Sequence, residues 1–166
     1  MKVALIGNMN NNNFSIMRYF RDFGINAHLI LFKDDITKTQ SHFKPEFDTW
    51  DIDKWSPYIH LLNFNSYHAA LFYPAFILKK HFKGYDILIS TGISPVILNK
   101  CGVNVDIYYP YGVGIEGVGD QLTRKKWKGK PFTTRIVRSI LRRLKISAIK
   151  KVNTCLNSEM TLTKQT

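Results

Sequence analysis

The run Lys2-Val3-Ala4-Leu5-Ile6-Gly7, followed by Asn8-Met9-Asn10-Asn11-Asn12-Asn13, decides how the chain begins to fold. Its first residues are almost all apolar, as in a strand covered on both faces. Glycine and asparagine tolerate turn and left-handed backbone, so Gly7 to Asn13 reads as a loop. From Phe14 to Phe23 apolar residues return with helical spacing, and Phe14, Ile16, Met17, Phe20 and Phe23 are expected to face inward. Asn13 stands where an N-cap belongs, and Gly24 where a helix stops. A second apolar run, Ala27 to Phe32, completes a strand–loop–helix–strand unit, the opening of a doubly wound sheet.

Further strands are expected at Tyr85 to Ser90 and Val105 to Tyr109, with short ones near Ile59 to Asn63 and Val152 to Leu156. Ser66 to Phe82 reads as helix, kinked or restarted at Pro74. Ser94 as N-cap and Pro95 at the first helical position start another helix, which runs to Lys100 and stops at Gly102. Lys33 to Pro57 is polar, carries Phe43, Phe47, Trp50 and Trp55, and reads as a surface insertion. Thr133 or Thr134 caps a helix to Lys151, whose Ile136, Val137, Ile140, Leu141, Leu144 and Ala148 make one apolar face, expected to pack on the sheet. The fold class is therefore α/β: one Rossmann-like domain over 1–166, with a mostly parallel sheet and helices on both faces. Residues 33–57 form its insertion and 121–151 its basic loop and amphipathic helix.

A chain of 166 residues that is 45% hydrophobic and 22% charged is an ordinary folded domain. Its longest apolar stretch, Ala69 to Leu78, is half of the roughly 20 residues a membrane span needs. Cys101 and Cys155 lie far apart, which fits a reducing compartment better than a disulfide scaffold. Neither they nor His28, His42, His60, His68 and His81 have metal-ligand spacing, so no metal is expected. The net charge of +12 lies entirely in the last quarter: residues 124–166 hold 13 Lys/Arg and one acid, Glu159, while residues 1–123 balance. Such a block attracts acidic lipid, nucleic acid or a phosphate-rich ligand.

In an open α/β sheet, ligands sit beyond the carboxyl ends of the strands. Three loops leave strands there: Gly7 to Asn13, Thr91 to Ser94, and Pro110 to Gly119. The asparagine run serves equally as a plain turn, and Ser94-Pro95 as an ordinary helix start. The glycines at 112, 114, 117 and 119 have neither P-loop nor dinucleotide-fingerprint spacing. Glu116 is the one acid among them, either a solvated surface residue or a carboxylate at the ligand edge.

Three stretches together resemble family-4-type bacterial glycosyltransferases of the GT-B fold. They are Gly7-Asn8-Met9-Asn10-Asn11-Asn12, with Arg18 and Arg21 on the helix and Ala27-His28-Leu29-Ile30-Leu31 after it; Tyr85 to Pro95; and Val105-Asp106-Ile107-Tyr108-Tyr109-Pro110-Tyr111-Gly112. The similarity spans roughly residues 1–120 and continues faintly from Asn153 to Met160. It implies the acceptor-side N-terminal half of an enzyme of cell-envelope polysaccharide biosynthesis, inactive without a C-terminal half that binds nucleotide sugar. Gly7, Asn8, Asn10, Asn11 and Asn12 would then lie near the donor diphosphate, Thr91, Gly92, Ser94, Tyr111 and Gly112 would hold the acceptor, and Glu116 would be the catalytic base. The resemblance implies no cofactor and no metal, a nucleotide sugar and a glycan or lipid-linked acceptor as partners, and possibly a separate donor-domain chain. Peripheral docking at the inner face of the cytoplasmic membrane would fall to Arg124, Lys125, Lys126, Trp127, Lys128 and Lys130. The competing expectations are a basic α/β domain that binds nucleic acid and a non-catalytic ligand-binding module.

Overall fold

A computed structural model of the protein describes residues 1–37, 44–46, 52–110 and 131–156. Among these residues, six strands form one sheet: β1 (Lys2–Ile6), β2 (Asn26–Phe32), β3 (Ile59–Leu62), β4 (Ile87–Ser90), β5 (Ile107–Tyr108) and β6 (Thr154–Cys155). They run parallel in the order β3-β2-β1-β4-β5-β6, with Ala4 opposite both His28 and Leu88. The expected α/β Rossmann-like class holds. The order grows one way from β1 to β3, then jumps back past β1 and grows the other way.

That reversal decides which helix covers which face. Crossovers between parallel strands are right-handed, so helices made while the sheet grows leftward lie on the opposite face from those made while it grows rightward. The helix α1 (Asn12–Asp22) and the segment with α3 (Ile52–Trp55) bury Phe14, Met17 and Trp55 against Val3, Leu5, Leu29 and Leu31. On the other face lie α4 (Ser66–Leu71), α5 (Ala75–Lys79), α6 (Ser94–Lys100) and α7 (Phe132–Ile149), over Ala4, Ile6, Ile30 and Phe32. Alternate residues of β1 and β2 thus feed two separate apolar clusters, as the two-residue period of a strand requires.

Several expectations change. Pro74 restarts the helix rather than kinking it: α4 ends at Leu71 and α5 begins at Ala75, because proline has no N–H to continue the first ladder. Phe23 is 83% exposed, since α1 has ended and the chain is turning through Gly24. The supposed insertion opens with ordered structure. A short helix, α2 (Lys33–Thr37), follows β2 directly, with Asp34 and Asp35 both buried. Asp35 accepts the Phe32 backbone N–H at 2.7 Å, and Asp34 accepts the N–H and hydroxyl of Ser66 at 2.7 and 2.8 Å. Among the described residues, no helix is long and apolar enough to cross a membrane.

The amphipathic helix α7 departs most from expectation. Of the six residues of its expected apolar face, Leu141 and Ala148 reach the core; Ile136, Val137, Ile140 and Leu144 stay exposed, as does Phe132. The two buried residues lie seven apart on one narrow line of the helix. The remaining apolar residues sit to one side of that line, so a single contact with α6 cannot cover them.

Candidate functional site

The carbonyl of Ile6, at the end of β1, ties together the two loops that diverge where the strand order reverses. It accepts the Thr91 N–H at 3.1 Å and the Thr91 hydroxyl at 3.2 Å, and the Ser94 hydroxyl and Asn13 amide approach it at 3.4 Å. Gly7 follows at φ +78°, and its N–H donates to Ile30. A Cβ on Gly7 would stand 2.7 Å from the Thr91 hydroxyl, closer than packed atoms approach, so the two loops touch only because residue 7 has no side chain. A crevice between loops that part at such a reversal is where open α/β sheets hold ligands.

The asparagine run is built differently from its sequence reading. Asn13 does not cap α1; it lies in the first turn, fully buried, and its amide donates to Gly7 at 2.7 Å. Asn8 does the capping, its side-chain oxygen accepting the Phe14 N–H at 2.8 Å. Between them Asn10 and Asn11 take left-handed backbone, a conformation asparagine tolerates better than most residues, and a single 3-10 turn spans Met9–Asn11. The Asn11 side chain is held at its oxygen by the Glu46 backbone N–H, 3.1 Å away. That contact brings residues 44–46 over the first loop, and no local sequence signal announces it. Beside it a cavity of about 250 Å³ is lined by Leu31, Ile36, Lys44, Pro45, Ser56 and Ile59.

Of the expected site residues, Gly7, Asn8, Thr91 and Ser94 meet at the crevice, and all four are buried. Asn10 is exposed, Asn11 and Asn12 partly so, and Gly92 follows Thr91 with open space where its side chain would be. Tyr111, Gly112, Glu116, Arg124, Lys125, Lys126, Trp127, Lys128 and Lys130 lie outside the described residues. Two buried polar atoms near the carboxyl edge have no hydrogen-bond partner: the side-chain oxygen of Asn13 and the hydroxyl of Ser90, the last residue of β4. Buried polar atoms are rarely left so, and both invite a ligand group or a water. Tyr108, opposite Ser90 in β5, likewise buries an unpartnered hydroxyl; burial, then the neighbouring Cys155, pushes its ionisation far above the ordinary range. Among the described residues no group of three His, Cys, Asp or Glu could hold a metal ion.

His28 and His60 lie away from this edge. His28 Nδ1 is 2.8 Å from His60 Nε2 with the rings stacked, toward the amino ends of β2 and β3. His28 Nε2 faces the Asn26 side-chain oxygen at 3.0 Å, so that nitrogen carries the proton and Nδ1 accepts from His60. Burial, then His60, Lys2 and Arg21, lowers the His28 pKa to about 4, and burial followed by Lys2 lowers that of His60. A base whose folded pKa is depressed binds protons preferentially in the unfolded chain, so stability should hold above pH 6.5 and fall as the pH drops toward 4. Thermal melts from pH 7.5 to 4.5 test this. We expect a falling Tm in the parent and a flatter profile in His28→Gln; identical slopes would refute the assignment.

No protein-family model matches the chain, and no curated protein matches it. Two solved structures are similar to it, both short-chain dehydrogenases/reductases from Veillonella parvula. One, described as wide type and in complex with NADP, has a TM-score of 0.46 and 10% identity, covering 92% of this chain and 65% of that one. The other, described as ethylated, has a TM-score of 0.43 and 9% identity, covering 92% and 64%. The chain thus spans about 65% of the length of these proteins. At such identity the likeness speaks to fold alone, but it corrects the family reading. The neighbours are short-chain dehydrogenases/reductases, not GT-B glycosyltransferases, and the glycosyltransferase function and its cell-envelope role are withdrawn. The expectation of no cofactor is withdrawn too, since one neighbour carries NADP. The three stretches behind the resemblance are strand ends of a doubly wound sheet, which many unrelated functions share.

Proposed function

We propose that this chain is a nucleotide-binding Rossmann-like domain, with the phosphate groups held in the crevice between the loops after β1 and β4. The observation that carries the reading is the side-chain-free contact of Gly7 with Thr91 at the strand-order reversal, which lets the two loops wall one crevice. The unpartnered oxygen of Asn13 beneath it supplies an acceptor for a ligand hydroxyl or amine. In this proposal Gly7, Asn8 and Asn10 to Asn12 flank the phosphates, and Thr91, Gly92 and Ser94 close the other wall. The loop departs from the dinucleotide fingerprint, because Met9 and Asn12 stand where its second and third glycines would be. After β2, where a carboxylate commonly receives ribose, the chain has exposed Lys33, while Asp34 and Asp35 turn inward. A lysine at that place suits a phosphorylated ribose better than a free diol.

Calorimetric titration with ADP, UDP and NADP tests the proposal. At least one should bind with Kd below about 1 mM. Gly92→Asn should weaken that binding at least tenfold, because asparagine accepts the left-handed backbone and its side chain meets no protein atom, so the fold survives. Absence of binding by all three, or binding unchanged in Gly92→Asn, would sink the reading.

A further inference from the structure

The helices on the two sheet faces differ in charge. On the face covered by α1 and α3, acids and bases mix: Asp22 and Asp53 occur with Arg18, Arg21 and Lys54, and Lys54 pairs with Asp22. The other face carries no carboxylate at all on its helical segments, 66–82, 94–101 and 132–151. Those segments hold Lys79, Lys80, Lys100, Arg135, Arg138, Arg142, Arg143, Lys145, Lys150 and Lys151. This layer also exposes large apolar side chains. On α7, Phe132, Ile136 and Ile140 recur every fourth residue and are 73%, 43% and 46% exposed, with Val137 and Leu144 alongside. Phe72, between α4 and α5, and Phe76, within α5, are 72% and 77% exposed. Both α7 and the α4–α5 pair pack on α6.

We propose that this helical layer docks on an anionic lipid bilayer, with α7 lying in the interface. It has the form of an interfacial helix: phenylalanine and branched aliphatic residues run along one stripe, Arg135 is exposed beside that stripe, and Arg143 is exposed where the stripe ends, one turn beyond Ile140. Charge selects the occupant. Described helical segments with seven exposed cations and no carboxylate match a sheet of anionic headgroups, whereas a protein partner usually offers charges of both signs. The isoleucines decide against nucleic acid, which rewards rings and hydrogen-bond donors but gives an aliphatic stripe nothing to enter. Neither Ile136 nor Ile140 reaches the core, so both can be altered without loss of fold.

Sedimentation with vesicles tests the docking, using phosphatidylcholine alone and phosphatidylcholine with about a third phosphatidylglycerol. The protein should pellet with the anionic vesicles only and lose at least tenfold in partition when salt rises from 50 to about 500 mM. The charge-neutral pair Ile136→Ser with Ile140→Ser should lose about tenfold, and Arg135→Gln with Arg143→Gln several-fold, with melting temperatures unchanged. Failure to pellet with anionic vesicles would overturn the proposal. So would binding that ignores the isoleucine changes and is matched by single-stranded RNA, which would mark a surface for any polyanion. A dimer through α7 that excludes vesicle binding would overturn it as well.

Discussion

Replacing Gly7 by alanine is expected to destabilise the protein by about 2–3 kcal/mol and to abolish the proposed nucleotide binding. Left-handed backbone costs an L residue roughly 1–2 kcal/mol, and residue 7 sits at φ +78°. The new Cβ would also stand 2.7 Å from the Thr91 hydroxyl. Thr91 would have to turn away and give up its bond to the Ile6 carbonyl, a further loss of about 1 kcal/mol. Denaturant titration measures the sum, and the double variant with Thr91→Ala separates its parts. With the hydroxyl already gone, the second change should cost less than it does in the parent. A Gly7→Ala protein within about 0.5 kcal/mol of the parent would show that the two loops do not depend on close approach.

The second large effect is expected at Asp34. Its carboxylate stabilises the start of α4 from 32 residues upstream, taking the N–H and hydroxyl of Ser66, while the side chain of Asn65 at the helix N-cap makes no capping bond. Asp34→Ala would leave both Ser66 donors buried without this partner, a loss of about 3 kcal/mol. Asp34→Asn keeps an acceptor oxygen but not the charge, and should lose roughly half as much. Hydrogen exchange locates the damage: protection should fall first in α4 and at the end of β3, since the bond joins the segments that follow β2 and β3. Loss of protection spread evenly over the sheet would instead mean that Asp34 acts on the whole core.

The candidate site was half legible. Gly7, Asn8, Thr91 and Ser94 follow apolar strands and precede helical periodicity, and that order alone places them at the carboxyl edge. What they do there was not legible. Ser94 was expected to cap α6, yet it is the first residue of that helix, and its hydroxyl donates to Thr91 and toward Ile6. Asn8 rather than Asn13 takes the Phe14 N–H, because which asparagine caps depends on the 3-10 turn between them. The contact from Glu46 to Asn11 joins residues 35 apart and leaves no periodic trace.

By itself, the sequence determined the α/β class, the existence and succession of the strands, and the location of the surplus charge. These follow from side-chain period and composition, which each segment carries locally. Only the tertiary structure decided the strand order, and with it which helices share a face. It also decided that Asp34 and Asp35 turn inward and that the apolar stripe of α7 stays uncovered. Those outcomes depend on how many neighbours each surface finds once right-handed crossovers have filled the two faces, and a helix cannot encode in its own residues whether a partner will be there to cover it.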